Sequence, residues 1–393
     1  MASRPPPETV LIDRRRAFFA PQFQIKLNGQ PVGREVISDV IDVTYTDDEV
    51  NLDSFEFSLG DWDPAGLRPK YSSPWDESGQ PAKVDGVAVP NFELGATVEL
   101  RLWHQGESDP QLMLKGDVVS ITPSFPAAGA PVCRVRVLNI LQRLQREHLT
   151  KKLTGTKMGI AEQVAKEVGI TDVKLPPDAK TGKETTDTLN NVVVYEELLK
   201  RAKEAGLVMW LEDADAGPVL HFDPPAQNDK PVASLGWGLN LVSFAPQLST
   251  RRVVEKVEVR GGDPLKSGKD KQIVGTADWK DLPGFDRSAL GPKGFDGIEK
   301  ALSGTVEKIA IAEVRTAEEA KEKAIGVLKT IAGELVKATG TAIGMPELRT
   351  GRIVQITRLG PRFSGLYRLS QTTHTLGPAG YTVAFQARKL VLK

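Results

Sequence analysis

Residues 90–100 read PNFELGATVEL, and residues 346–356 read PELRTGRIVQI. Pro90, Phe92, Gly95, Val98 and Leu100 recur at identical spacing as Pro346, Leu348, Gly351, Val354 and Ile356. Each position has a physical reading. Glycine tolerates the positive φ of a sharp entry into a strand. Val98 with Leu100, and Val354 with Ile356, are two apart and so share one face of an extended chain. In each half a further glycine, Gly116 or Gly365, precedes the next strand, and an alternating strand closes the set. A chance match between windows of a long chain is the competing explanation. The shared order of strands favours a repeat, and hence tandem barrel-like β domains.

The β pattern extends on both sides of the first copy. FQIKLNG (23–29) puts Phe23, Ile25 and Leu27 on one face, and Asn28-Gly29 suits the φ > 0 positions of a tight hairpin turn. FEFSLG (55–60) turns Phe55, Phe57 and Leu59 inward in the same way. Residues 61–92 are rich in Pro, Gly, Asp and Ser and read as a long ordered loop carrying Trp62 and Trp75.

Residues 153–225 change period. TKMGIAEQVAKEVGI (156–170) spaces Ile160, Val164 and Val168 helically, with Gly169 as the stop. The polar stretch 176–191 reads as a loop. VYEELLKRAKEAG (194–206) predicts a second helix with Leu198, Leu199 and Ala202 inward and Gly206 as terminator, followed by a hairpin of LVMWLED and PVLHF. After residue 246 the strands return, in VEKVEVRGG (254–262) and, near the end, in GRIVQI, GLYRLSQTTH and YTVAFQARKL. Residues 262–300 read as a long loop or flexible extension. Thr316 and Glu319 form a capping box ahead of a helix extending to Gly340. The predicted division is therefore an arm (1–19), a first β domain (20–152), a helix-plus-hairpin insert (153–245), and a second β domain (246–393) holding the loop and helix of 262–339.

Composition narrows the function. Lys and Arg total 51, as do Asp and Glu, so no basic excess suggests specific nucleic-acid binding. The lone Cys133 cannot form an intrachain disulfide and alternates with Arg134 and Arg136 as a buried strand residue would. The N-terminus, with Pro5 to Pro7 and Arg14 to Arg16, has no apolar core of a secretory signal, and no apolar run is long enough to span a bilayer.

Motifs of catalysis are missing. His104, His148, His221 and His374 lie far apart and lack metal-ligand spacing. The chain has no G-x-S-x-G elbow, P-loop or Rossmann glycine pattern. Carboxylates such as Asp47, Asp48, Glu49, Glu212, Asp213 and Asp215 read as solvated turns. The expectation is a non-enzyme, with no catalytic, cofactor-binding or metal-binding residue and no cofactor.

Three stretches resemble the phage late control D family of tail hub proteins. They are SFEFSLGDWDP (54–64) with FELGATVELRL (92–102) and residues 112–147; MGIAEQVAKEVGI (158–170) with the second helix and hairpin; and FSGLYRLSQTTHTL (363–376) with GYTVAFQARK (380–389). Gly116, Phe125, Pro126, Gly129, Leu141 and Leu144 follow the family's order of a strand, a Phe-Pro turn, a strand and a Leu/Arg-rich helix. The resemblance implies a β-rich α+β fold, two tandem barrel-like tube domains with a small helix-plus-hairpin insert, as in the amino-terminal half of type VI secretion spike proteins. It implies a structural hub in the baseplate of a phage tail or contractile injection system. There a homotrimer adapts a six-fold tail tube to a three-fold spike, with tube or tube-initiator protein above and wedge proteins around. Fused hub-spike proteins continue into a further barrel and needle, so the ending at Lys393 suggests a separate spike protein. Assembly would be cytoplasmic, then part of a virion or extracellular particle, with no membrane contact. A cell-wall-degrading baseplate hydrolase and a carbohydrate-binding β module are the alternatives.

Overall fold

The computed structural model describes residues 20–392 except 50, 77, 85, 108–109, 182–183, 215–216, 224–229, 263–271, 312–313 and 315. The N-terminal arm expected at 1–19 lies outside the described residues. The chain opens with β1 (Pro21–Leu27) and β2 (Gln30–Pro31), joined by Asn28 and Gly29 at φ +50° and +82°. Those two left-handed residues make the two-residue hairpin turn that the Asn-Gly pair predicts. A short helix α1 (Arg34–Asp39) leads into β3 (Val40–Asp48) and β4 (Ser54–Gly60). The 61–92 segment holds only the two-residue strands β5 (Lys83–Val84) and β6 (Val87–Ala88). It is organised by Asp61, whose Oδ1 accepts from Tyr71 N–H at 2.6 Å and Ser72 N–H at 3.2 Å. Then come β7 (Thr97–His104), β8 (Gln111–Ser124) and β9 (Val132–Asn139). On β9, Cys133, Val135 and Val137 are buried while Arg134 and Arg136 are exposed, as the alternation requires. Burial pushes the Cys133 thiol up to about 12, which suits a packing residue rather than a nucleophile.

The insert has its own core, running from Leu141 to Phe222. Its elements are α2 (Leu141–Leu144), β10 (His148–Gly155), α3 (Lys157–Glu167), β11 (Asp172–Lys174), β12 (Thr185–Val193), α4 (Val194–Glu204), β13 (Val208–Ala214) and β14 (Gly217–Asp223). Both helices end alike. Gly169 (φ +86°) bonds Lys166 O while Ile170 bonds Ala165 O; Gly206 (φ +71°) bonds Lys203 O while Leu207 bonds Ala202 O. These are paired six-to-one and five-to-two closures, which need a left-handed residue and therefore favour glycine. The expected loop at 176–191 is corrected. Part of it is β12, antiparallel to β10, and only its start, Pro177–Lys180, is a helical turn.

The rest of the chain comprises β15 (Ala233–Gly236), β16 (Leu241–Leu248), β17 (Lys256–Gly262), β18 (Gln272–Asp278), α5 (Asp296–Leu302), β19 (Val306–Ala310), α6 (Ala317–Ala332), β20 (Val336–Ile343), β21 (Ile353–Thr357), α7 (Gly360–Phe363), β22 (Gly365–Gly377) and β23 (Gly380–Lys389). Two expectations change here. The 262–300 region is not simply a loop, since β18 pairs with β17 and α5 buries Ile298 and Leu302. The helix stops at Ala332 rather than Gly340, and Val336–Ile343 is a strand. The Thr316–Glu319 capping box forms in both directions, at 3.1 and 3.3 Å. Helix α6 lies close on β18 because Gly275 has no side chain: a Cβ there would stand 2.3 Å from Lys321 N.

Thirteen strands join one antiparallel-dominated sheet, in the order β16-β20-β23-β22-β3-β4-β9-β8-β7-β1-β2, with β15 parallel to β21 and β21 beside β22. Among the described residues no sheet closes on itself: the two β regions expected to be barrel-like domains share one open sheet. The β3–β22 pairing makes it continuous.

Candidate functional site: the seam between two matching strand arrays

Two sets of strands carry the same hydrogen-bond signature. Gly95, at φ +85°, donates to Val118 O at 2.8 Å, and Val118 N–H bonds Ala96 O at 2.9 Å. Gly351, at φ +80°, donates to Leu369 O at 2.8 Å, and Leu369 N–H bonds Arg352 O at 2.9 Å. Val118 therefore corresponds to Leu369. Just beyond, the ladder to the next strand slips by one residue in both arrays, between Val118 and Ser120 on β8 and between Leu369 and Gln371 on β22. Carried outward through the pairings, β9 corresponds to β23, β4 to β20 and β3 to β16. A second slip then also falls at matching places, Val40 to Asp42 and Leu241 to Ser243. Bulges are positioned features, and two placed alike argue for one design used twice. One expectation is corrected by the register. Gly116 pairs with Val98 and Tyr367 with Val354, so Tyr367, not Gly365, is the counterpart of Gly116.

The arrays meet where β3 runs antiparallel to β22, with Gln371 opposite Asp48, Thr373 opposite Thr46, His374 opposite Tyr45 and Leu376 opposite Val43. Polar groups are buried along this seam. Arg349 donates from Nε to Asp47 Oδ2 at 2.6 Å and from a terminal nitrogen to Tyr45 Oη at 2.5 Å, its guanidinium 5.0 Å from the Tyr45 ring centre. Thr350 adds its N–H to Asp47 Oδ2 at 3.0 Å and its hydroxyl to Asp47 O at 2.8 Å. Burial raises the Asp47 carboxyl, but the Arg349 charge and these hydrogen bonds outweigh it, so the group lies below its ordinary range. Glu49 faces Arg368 at 2.5 Å; there burial dominates, and its carboxyl is raised. Asp48 accepts from Gln371 at 2.8 Å and from the Asn51 side chain at 3.1 Å. The reading of Asp47, Asp48 and Glu49 as solvated turns is thus wrong: Asp47 is buried and held by a cation from the other array.

The histidines have structural partners. Fully buried His374 bonds Tyr381 Oη through Nδ1 at 2.7 Å and Leu348 O through Nε2 at 2.8 Å. Burial, then the Arg349 charge, lowers its pKa to about 4. His104, also buried, reaches Gly344 O at 3.1 Å, and its ring lies 5.9 Å from the Tyr381 ring, which His374 flanks at the same distance. No sequence signal announced this meeting of distant segments. His221 stacks on Trp210 at 4.1 Å and contacts Glu212 at 2.8 Å; His148 is exposed.

A cleft of about 720 Å³ opens between the seam and the insert, lined by Asp47, Glu49, Tyr195, Trp210, Arg349 and Arg368 among others. The seam carboxylates on it already engage cations, hydroxyls or amides, an arrangement suited to locking backbone together. Among the described residues no group of three or more His, Cys, Asp or Glu could hold a metal, and no helix is long and apolar enough to cross a membrane.

No family model and no curated protein matches the sequence. Solved structures do match. The 43 kDa tail protein of prophage MuSo2 from Shewanella oneidensis superposes with TM-score 0.65 at 15% identity, over 95% of this chain and 100% of that one. The fold is that of prophage tail proteins. A tail protein from Neisseria meningitidis MC58 gives TM-score 0.64 at 14% identity, over 94% and 97% of the two chains. The E. coli c3393 protein, a type VI secretion component described as structurally similar to phage T4 gp27 and gp5, gives TM-score 0.51 at 10% identity, over 92% and 76%. The tail-protein fold thus accommodates the seam, the insert and both arrays across nearly the whole chain.

Proposed function

We propose that the chain is the structural hub of a phage-tail or contractile-injection baseplate, in which three copies adapt a six-fold tube to a three-fold spike. The observation that carries this reading is the internal duplication: two arrays with matching bulges, joined edge to edge by β3 and β22. Three such chains offer six similar arrays, which fits a six-fold ring above and a three-fold object below. In this reading each array with its flanking strands is a tandem tube domain, and the insert, whose core runs from Leu141 to Phe222, lies outside the ring. A spike chain would sit below, tube or tube-initiator protein above and wedge proteins around, inside a virion or injection particle. The chain would act through geometry rather than catalysis. A similar fold in one chain of a Francisella PdpA–VgrG complex, at TM-score 0.53 and 6% identity, supports a spike-side partner.

Electron microscopy of the assembled particle tests this. The expected result is three copies around the axis at the tube–spike boundary, with the two arrays superposing about a pseudo-six-fold axis. Six copies, a single copy or arrays that fail to superpose would overturn it.

A further inference from the structure

The cleft between the seam and the insert has two kinds of wall. Leu52, Leu112, Tyr195, Leu199, Val208 and Trp210 give it apolar surface. Trp210 is 38% exposed, although its Nε1–H is held by Asp223 at 2.8 Å and its ring lies on His221. Apolar side chains grouped in a concave site mark a place where another surface docks. Charge is uneven there as well. Six carboxylates and three guanidiniums line the cleft, a formal excess of three negative charges. Two of the guanidiniums, Arg349 and Arg368, already face Asp47 and Glu49. An occupant that complements both walls is apolar along one stretch and cationic along the next.

The chain carries such a stretch outside the described residues. Val10-Leu11-Ile12 is followed, after Asp13, by Arg14-Arg15-Arg16. The tether to it is short. Ala20 stands at the foot of β1, where its carbonyl accepts from Gln105 N–H at 2.9 Å. Gln24 lies opposite Arg101, and Arg101 lies opposite Leu112 on the cleft wall. Ala20 and Leu112 are thus separated by two strand spacings and four residues of extended chain, on the order of 15–20 Å. The stretch from Val10 to Phe19 spans about 33 Å when extended, so residues 10–16 can lie along the cleft.

We infer that residues 10–16 dock in the cleft of their own chain, Val10 to Ile12 against Leu199 and Trp210 and Arg14 to Arg16 against the carboxylates. The arm then straps the insert to the large sheet, bridging two apolar cores that otherwise pack apart. This concerns a single chain and stands or falls independently of the hub reading.

Cysteine trapping in the full chain tests the docking. Ile12→Cys with Leu199→Cys, oxidised at low chain concentration, should give an intrachain disulfide, read by peptide mass mapping. Native Cys133 is buried and does not compete. Adding Arg14→Glu, Arg15→Glu and Arg16→Glu should slow the linking by roughly tenfold or more, because three charge contacts are lost. No link, or equal rates with and without the reversed charges, overturns the docking. A link formed between chains instead overturns its own-chain placement. Trypsin gives a second test that leaves the rest of the chain unaltered. Leu11→Ser with Ile12→Ser should speed cleavage after Arg14, Arg15 and Arg16 by about tenfold or more, since the apolar half of the contact is removed. Unchanged cutting would overturn the docking.

Discussion

Arg349 Nε donates to Asp47 Oδ2 at 2.6 Å across 302 residues of sequence. The pair ties the loop before β21 to the end of β3, at the point where one array becomes the neighbour of the other. Its worth lies in what happens when half of it is removed, because the remaining charge stays in a poorly solvated place.

Asp47→Ala should therefore destabilise the chain by about 3 kcal/mol, as removal of one partner of a buried ion pair does. Arg349 would lose its carboxylate, and Thr350 N–H an acceptor. Urea unfolding of the variant beside the parent measures this. A loss under about 1 kcal/mol, the worth of a surface pair, would show the seam to be held by its strands alone.

Acid should weaken the same region through His374. Its folded pKa of about 4 lies below the ordinary 6.5, so the unfolded chain takes up the proton first. The stabilisation is fully present above pH 6.5 and is lost as the pH falls toward 4, by about 3 kcal/mol in all. His374→Asn should be weaker at neutral pH yet lose less between pH 7 and 5 than the parent. Equal slopes would assign the acid sensitivity elsewhere. Asp47, with its lowered carboxyl, contributes in a more acidic window.

Gly169→Val and Gly206→Val should each cost about 1 kcal/mol or more, because both glycines sit at positive φ where a β-branched residue is strained. Thermal melts would show the loss. Unchanged melting of both variants would contradict the helix closures.

Thr316→Ala should cost about 1 kcal/mol, since it removes the side-chain acceptor for Glu319 N–H at the start of α6. Thr316→Ser should restore most of it, and a Ser variant as weak as Ala would rule out the hydroxyl as the cause.

Legibility in the sequence followed the burial of one face. β9 and β23 alternate cleanly because one side of each is core, and Gly169 and Gly206 marked real helix ends. β12 was missed because Thr185–Val193 is polar on both faces and buries only Leu189, leaving no period to read. β20 was missed because no strong breaker separates it from α6; Leu335 falls at the next position of the helical stripe, and the strand buries small residues such as Ala338 and Ala342. The seam was invisible for another reason. Tyr45, Asp47, Arg349 and His374 share no local pattern, and only extending the echo of Gly95 and Gly351 strand by strand would have led to it. The same echo misled at Gly365, since a glycine at the right distance is not a glycine at the right register.

The separate apolar core of the insert divides the molecule's cooperativity. Leu141 to Phe222 pack among themselves, while the large sheet and the α6 layer share one cluster from Ile25 to Leu392. Amide hydrogen exchange should therefore resolve two opening units. The interior amides of β3, β4, β22 and β23 should exchange last and together, since no one of them can leave without breaking the sheet that both arrays share. Those of α3 and α4 should exchange earlier, with the sheet still closed. Such a chain can let its insert breathe or reshape without loosening the sheet that both arrays share.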